Sequence, residues 1–266
     1  MRAPRIVSAA LVTIAVTAAG CSSDTDSSSK PAEPAAPAKP TIVLVHGSFA
    51  DPSSWDSVAK ELRDKGYQVQ QPDNPLRGPA EDAAAITKSI ESISGPVVLV
   101  GHSYGGAVIS NMHRPNVKAE VFVAAFAPAK GETVQSLTDP GRYPGSKVGP
   151  QVLQIQPVAG GAEITMAPDQ FRDIFAQDVS PDVAAQLAAR QRPTSGAANA
   201  EPSGDPSWQG MPTWYLISTE DQTLPPASQR FQAERMGATI SEVKSSHASP
   251  VSHPDDVVAT ITAAAG

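Results

Sequence analysis

The stretch Val97-Val98-Leu99-Val100-Gly101-His102-Ser103-Tyr104-Gly105-Gly106 decides how the rest of the chain is read. An apolar, β-branched run ends in Gly-x-Ser-x-Gly, and the alanine- and valine-containing segment Ala107–Met112 suits the helix that would follow. Strand, sharp turn and helix in that order stand a serine hydroxyl at the top of a sheet. The turn is strained, so glycines must flank the serine where a Cβ would strike neighbouring backbone. Gly-x-Ser-x-Gly alone is a short pattern. Its context makes Ser103 a candidate nucleophile rather than part of a plain glycine-rich turn.

Outward from this point, strand and helix signals alternate from Thr41 onward. Thr41–His46 reads as a continuous apolar strand, and Ser54–Lys65 as a helix with Trp55, Val58, Ala59 and Leu62 on one face, stopped by Gly66. Tyr67–Gln71 predicts a short strand, Glu81–Ile93 a helix, Val97–Val100 the strand before Ser103, and Glu120–Phe126 another strand. Such alternation means parallel strands with crossover helices, hence an α/β fold: a mostly parallel sheet flanked by helices. The rhythm breaks between about residues 128 and 206, rich in Pro, Gly, Gln and Ala. Two helices are legible there, Pro168–Gln177 and one capped by Ser180 with Pro181 at its first position, ending before Pro193. This insertion reads as a helical cap over the carboxyl edge of the sheet, where open α/β sheets bind ligands, with a surface excursion as the alternative. The sheet resumes with strand Thr213–Ser218, helix Pro226–Met236 closed by Gly237, and strand Thr239–Val243. A last helix is expected from Ser252 as N-cap, with Asp255 three residues on, to about Ala264.

The chain of 266 residues is long enough for one large domain. Its net charge of −7, with no basic run beyond Arg2 and Arg5, argues against a nucleic-acid partner. Those arginines precede an apolar stretch, Ile6–Ala19, too short for a typical spanning helix; residues 1–20 read as a secretory signal. Ala18-Ala19-Gly20-Cys21 then resembles the lipobox of bacterial lipoproteins, although Ala18 stands where leucine is usual. That resemblance implies lipidation of Cys21 and a membrane-anchored, exported protein; an ordinary signal peptide with a chance cysteine is the alternative. Cys21 is the sole cysteine, so no internal disulfide can form. Residues 21–40, built from Ser, Asp, Ala, Pro and Lys, read as a disordered tether before a domain spanning 41–266.

A serine hydroxyl needs a base within hydrogen-bond reach, and the base needs an orienting carboxylate. After a strand–turn–helix elbow the expected chain order is Ser, acid, His. Two histidines close the chain, His247 and His253. His247 follows the last strand in a loop of small residues and is the candidate base; His253, beside Pro254, suits the start of a helix. Asp221, just past strand Thr213–Ser218, is the candidate orienter, with Glu220 as alternate and a turn role as the plainer option. The oxyanion donors are assigned to the backbone N–H groups of Tyr104 and Ser48, with Phe49 as alternate to Ser48. His46 is expected to make structural hydrogen bonds, His102 to point into packed surroundings, and His113 to lie at the surface or a helix end. None of them forms a metal motif, and neither a metal nor a cofactor is expected. Phe171, Ile174 and Phe175 either line the pocket or form the cap's own core.

Val45-His46-Gly47-Ser48, Gly101-His102-Ser103-Tyr104-Gly105-Gly106, the Glu220-Asp221 run to Leu224-Pro225, and Ser246-His247 together resemble the α/β-hydrolase superfamily. Val121–Pro128 and Ala189–Pro193 resemble segments of uncharacterised bacterial members, in the branch that holds plant methyl-ester hydrolases and hydroxynitrile lyases. The resemblance implies the α/β-hydrolase fold, a Ser103, His247, Asp221 triad and a helical cap. The lyases of that branch carry lysine directly after the catalytic histidine and threonine after the histidine of the first motif; here Ala248 and Gly47 stand there. The expected function is therefore a serine carboxylic-ester hydrolase acting on small or medium neutral esters. A non-catalytic cell-surface ligand-binding protein on the same fold, or a cofactor-free perhydrolase or haloperoxidase-like enzyme, are the competing readings.

Overall fold

The computed structural model describes residues 39–266, so the signal, most of the tether and Cys21 lie outside the described residues. The chain enters a six-stranded, wholly parallel sheet at β1 (Thr41–Val45) and continues through α1 (Asp56–Asp64), β2 (Val69–Gln70), α2 (Pro79–Ser89), β3 (Val97–His102), α3 (Tyr104–Ile109) and β4 (Val117–Val123). After a long insertion it returns as β8 (Thr213–Ser218), α6 (Pro226–Met236), β9 (Thr239–Val243), α7 (Ser249–Ser252) and α8 (Pro254–Ala265). Strand order is β2-β1-β3-β4-β8-β9. Both faces are covered, which is why β1 and β3 are unbroken apolar runs rather than alternating ones. Val43, Val45 and Leu99 pack with residues of α2, α3 and α6 on one face. Ile42, Leu44, Val98 and Val100 pack with residues of α1 and α8 on the other.

The insertion contains β5 (Leu153–Val158), β6 (Gly161–Met166), α4 (Pro168–Phe175), α5 (Pro181–Ala189) and β7 (Thr194–Ser195). Both expected cap helices are there, and the insertion also carries a three-stranded antiparallel sheet, β5-β6-β7, that the sequence reading did not include. Val158 pairs with Gly161 across the turn, where Gly160 takes a φ of +86° that suits glycine. β5 alternates apolar and polar residues (Leu153-Gln154-Ile155-Gln156), yet Ile155 is exposed along with the glutamines, and Pro157 is tolerated because β5 is an edge strand. Phe171, Ile174 and Phe175 form the cap's own core with Met166, Ala184 and Ala188.

Several boundaries shift. The helix expected from Ser54 starts as a 3-10 turn, Pro52–Trp55, because the Asp51 side chain accepts from Ser53 N–H at 3.0 Å. The helix expected from Glu81 starts earlier, with Pro79 in its first turn. The capping box expected at Ser252 is not made: its hydroxyl donates back to the Ala248 carbonyl at 3.3 Å, α7 ends there, and α8 starts after His253 with Pro254 in its first turn. At the other end the tether's last residues are not free of the domain. Lys39 donates to the Lys65 carbonyl at 2.6 Å and lies over the Tyr67 ring, and Pro40 is buried.

Candidate active site

Ser103 sits between β3 and α3 with φ 53° and ψ −126°, a conformation unfavourable for any residue with a side chain. The surroundings hold it there. Its carbonyl accepts from Gly106 N–H and Phe126 N–H, each at 3.0 Å, and its own N–H reaches the Val123 carbonyl at 3.3 Å. The elbow is tight because backbone crowds it: a Cβ on Gly105 would collide with the Val45 carbonyl, and one on Gly47 would lie 2.6 Å from the Ser103 Cβ.

Asp221 and His247, one beyond β8 and one beyond β9, are brought together. His247 Nδ1 and Asp221 Oδ2 are 2.6 Å apart, and both side chains are fully buried. The other Asp221 contacts are all donors: Gln229 Nε2 at 2.8 Å on Oδ2, with Thr223 N–H at 2.7 Å and Leu224 N–H at 2.9 Å on Oδ1. With Asp221 accepting, the Nδ1 position carries the His247 proton. Nε2, the nitrogen a base must offer, is buried with no hydrogen-bond partner. The Ser103–His247 hydrogen bond is therefore not made in this state; such bonds commonly tighten only when substrate is present.

The elbow and the histidine loop are nevertheless joined next to the serine. His102 donates from Nε2 to the His247 carbonyl at 2.8 Å, and the two rings lie 4.8 Å apart. Burial, with the neighbouring His247 next in size, pushes His102 well below the ordinary imidazole value, so it stays neutral beside the candidate base. Phe175 stands edge-on to the His247 ring from the cap side, at 4.8 Å.

The first-strand loop is also fixed. His46 Nε2 accepts from Asn74 N–H at 3.1 Å, which puts its proton on Nδ1, 3.0 Å from the Gly47 carbonyl. A trans peptide points its C=O and N–H in opposite directions, so this bond aims the Ser48 N–H away from His46. Neither Ser48 N–H nor Tyr104 N–H is engaged by another backbone group among the described residues. The Tyr104 hydroxyl donates to buried Asp82 at 2.7 Å, and Asp82 in turn accepts from Arg77 N–H at 2.9 Å. Desolvation raises the Asp82 carboxyl above its usual range, against the pull of those donors.

The alternates lie elsewhere. Glu220 is exposed and 3.4 Å from Lys244. His253 starts α8, with Nδ1 2.9 Å from the Ser252 hydroxyl. His113 is exposed and donates to the Asp205 carbonyl at 3.0 Å. Among the described residues no cluster of three or more His, Cys, Asp or Glu forms a metal site. Sequence reasoning missed Gln229 and Asp178, which positions the histidine loop by accepting from Ser246 N–H at 2.8 Å. Nothing in a single sequence marks either, since both act through loops that meet only in the fold.

A cavity of about 230 Å³ opens on Ser48, Ser103 and Tyr104. Its far wall comes from the cap, through Val134, Val148, Leu153 and Ile164, rather than from Phe171, Ile174 and Phe175. No charged side chain lines it.

This arrangement matches a known family over residues 42–260, the "Alpha/beta hydrolase family". The chain belongs to the α/β-hydrolase family. Among its relatives, the α/β hydrolase nvfD of Aspergillus novofumigatus is 27% identical over 254 residues, covering 86% of this chain and 97% of that protein. Methylesterase 8 of Arabidopsis thaliana is 25% identical over 232 residues, covering 74% and 78%. The crystal structure of a pyrethroid hydrolase from Sphingobium faniae JZ-2 superposes with a TM-score of 0.70 at 23% identity, covering 85% of this chain and 97% of that one, and shares its fold. The chain is thus an α/β hydrolase whose relatives include proteins named as hydrolases and a plant methylesterase.

Proposed function

We propose that this α/β hydrolase is a serine carboxylic-ester hydrolase acting on small or medium neutral esters through Ser103, His247 and Asp221. The observation that carries the reading is the buried 2.6 Å contact between Asp221 and His247, held next to a strained serine elbow. In this mechanism Ser103 Oγ attacks the acyl carbon while His247 Nε2 takes its proton. The C–O bond to the alcohol breaks as the same imidazolium returns the proton to the leaving oxygen, giving an acyl-enzyme. Water, deprotonated by His247, then attacks the acyl carbon and releases the acid and free Ser103. Asp221 holds the Nδ1 proton and stabilises the transient imidazolium. The N–H groups of Ser48 and Tyr104 would receive the oxyanion. An uncharged cavity fits neutral esters, because a buried charge without a partner is costly.

Two features favour hydrolysis over cyanohydrin cleavage. Ala248, where the resembling lyases have lysine, is buried against the cap. Gly47, where they have threonine, leaves room for nothing but hydrogen beside Ser103. Export and lipid anchoring at Cys21 belong to the same proposal and are supported by the basic start, the apolar stretch and the small residues before that cysteine.

The deciding experiment is mass spectrometry of the folded protein after a fluorophosphonate probe, together with hydrolysis of p-nitrophenyl esters. An adduct on Ser103, and a drop in kcat on the order of 10³-fold or more in Ser103→Ala, are expected. A folded protein that neither labels nor turns over any ester is no esterase.

A further inference from the structure

We propose that the carboxamides of Gln135 and Asn199 are specificity determinants that hold a second carbonyl on the substrate, at the end remote from the reacting carbon. The inference rests on the esterase reading above and names its preferred substrates: neutral diesters or keto esters rather than simple alkyl esters.

Four features of the cavity lead there. First, the hydroxyls away from the elbow are already engaged within the protein, whereas Ser48 Oγ, at the Ser103 end, is buried without a hydrogen-bond partner. Thr138 donates to the Val134 or Gln135 carbonyl at 3.3 and 3.2 Å, Ser146 to the Thr223 carbonyl at 2.8 Å, and Thr223 to the Ile174 carbonyl at 3.1 Å. Second, exposed Gln135 and half-buried Asn199 also line the cavity, and neither carboxamide is hydrogen-bonded to the protein among the described residues. Third, the two residues are adjacent by construction. Gln135 N–H donates to the Asn199 carbonyl at 2.9 Å, joining the chain that leaves the sheet for the cap to the chain that comes back. The same two limbs are laced at Gly131 and Glu132, which bond Ser203 at 2.8 and 2.9 Å, so neither carboxamide stands on a loose segment. Fourth, the remaining wall is apolar, with Phe126, Val134, Val148 and Leu153, and carries no cation that would favour a carboxylate.

A carboxamide offers two N–H donors and one acceptor. An alkyl chain laid over this pair would cover those groups without bonding them, whereas a carbonyl in the same place accepts from them. Covering a polar group unpaired costs more than the net gain of the bond itself, so discrimination comes mainly from rejection of the alkyl ester.

The test compares substrates matched in chain length. On the acyl side the pair is p-nitrophenyl hexanoate and p-nitrophenyl methyl succinate, read by nitrophenolate release. On the alcohol side it is pentyl acetate and methyl 3-acetoxypropanoate, read by acetate release. The ratio of kcat/KM within each pair is measured in the parent, in Gln135→Leu and in Asn199→Leu. Comparing ratios between variants cancels the intrinsic reactivity of the esters. The expected result is a ratio that falls by about three- to tenfold in either variant, for at least one pair. Fluorophosphonate labelling of Ser103 in each variant shows that the site is intact, and the thermal midpoint shows that it is folded. Labelled variants whose ratios for both pairs stay at the parent value overturn the inference and leave the esterase reading standing. A folded parent that neither labels nor hydrolyses any of the four esters overturns both.

Discussion

β3 and β5 are strands of the same length, yet every residue of β3 is buried, while β5 is half-buried at Leu153 and exposed from Gln154 onward. The contrast extends to the regions they represent. The sheet body is held by apolar burial on both faces, so its strand ends are fixed and can carry Ser103, Asp221 and His247 within tight tolerances. The cap has a core of its own, which takes in Phe49 and Ala248 of the body, and polar side chains tie down the cap elsewhere. Arg77 reaches Glu163 at 3.1 Å and the Pro193 carbonyl at 2.8 Å, Arg192 pairs with Asp73, and Arg190 donates to the Ser53 hydroxyl at 2.9 Å. On the proposed reading, reaction chemistry sits on the doubly covered body, and choice of substrate on the cap.

Three substitutions probe that division. The largest effect is expected inside the body. In Asp221→Asn the amide still accepts from Thr223 and Leu224, but its NH2 faces two donors, His247 Nδ1–H and Gln229 Nε2. The imidazole then turns to the other tautomer and Nε2 is no longer free to take a proton. A fall in kcat of about 10³- to 10⁴-fold, with the fold retained by circular dichroism, is expected. A loss below about tenfold would mean that the pair is structural, removing the contrast.

The second effect is on stability. Glu120, in the middle of β4, is buried with only the Ser207 hydroxyl on it, at 2.6 Å, and burial raises its pKa to about 8. The folded state therefore binds this proton more tightly than the unfolded chain does. Stability from this group is full below the ordinary carboxyl range near 4.5 and declines as pH rises toward about 8. The slope is at most about 1.4 kcal/mol per pH unit. Glu120→Gln should flatten the thermal midpoint between those limits, read by calorimetry across pH. An unchanged profile would show that the body does not depend on this buried acid.

The smallest effect is expected in the clamp. Arg77→Met keeps the stem but loses Glu163 and the Pro193 carbonyl. KM should rise by about two- to fivefold with kcat little changed, as partly exposed ion pairs contribute up to about 1 kcal/mol. A kcat loss as large as that in Asp221→Asn would place catalysis in the cap as well.

The body was legible in the sequence for the same reason it is rigid. Doubly covered strands read as continuous apolar runs, and Gly237, at a φ of +65°, closes α6 in the left-handed region, so β8 and α6 fall on the expected residues. The cap's β5–β6 hairpin was hidden because β5 is solvated on both faces beyond Leu153 and Pro157 interrupts the strand pattern; Gly160-Gly161 between Ile155 and Ile164 was the signal available. At the site, residue type and chain order were enough to nominate Asp221 and His247, which the fold brings into contact. Gln229 and Asp178 were not legible, since a helix glutamine and a loop aspartate look like ordinary surface residues until distant loops converge on them.

The end of α4 is stitched to both loops that carry the acid and the imidazole. Ala248 N–H bonds the Phe175 carbonyl at 3.1 Å, Thr223 the Ile174 carbonyl, and Gln177 the Glu220 carbonyl at 2.7 Å. A roof fastened to the machinery at this hinge cannot lift there without dismantling what it shelters. The β5–β6 hairpin, which lends Leu153 and Ile164 to the cavity wall, lies outside that seam, so its sequence can vary with the loops of Asp221 and His247 left in place.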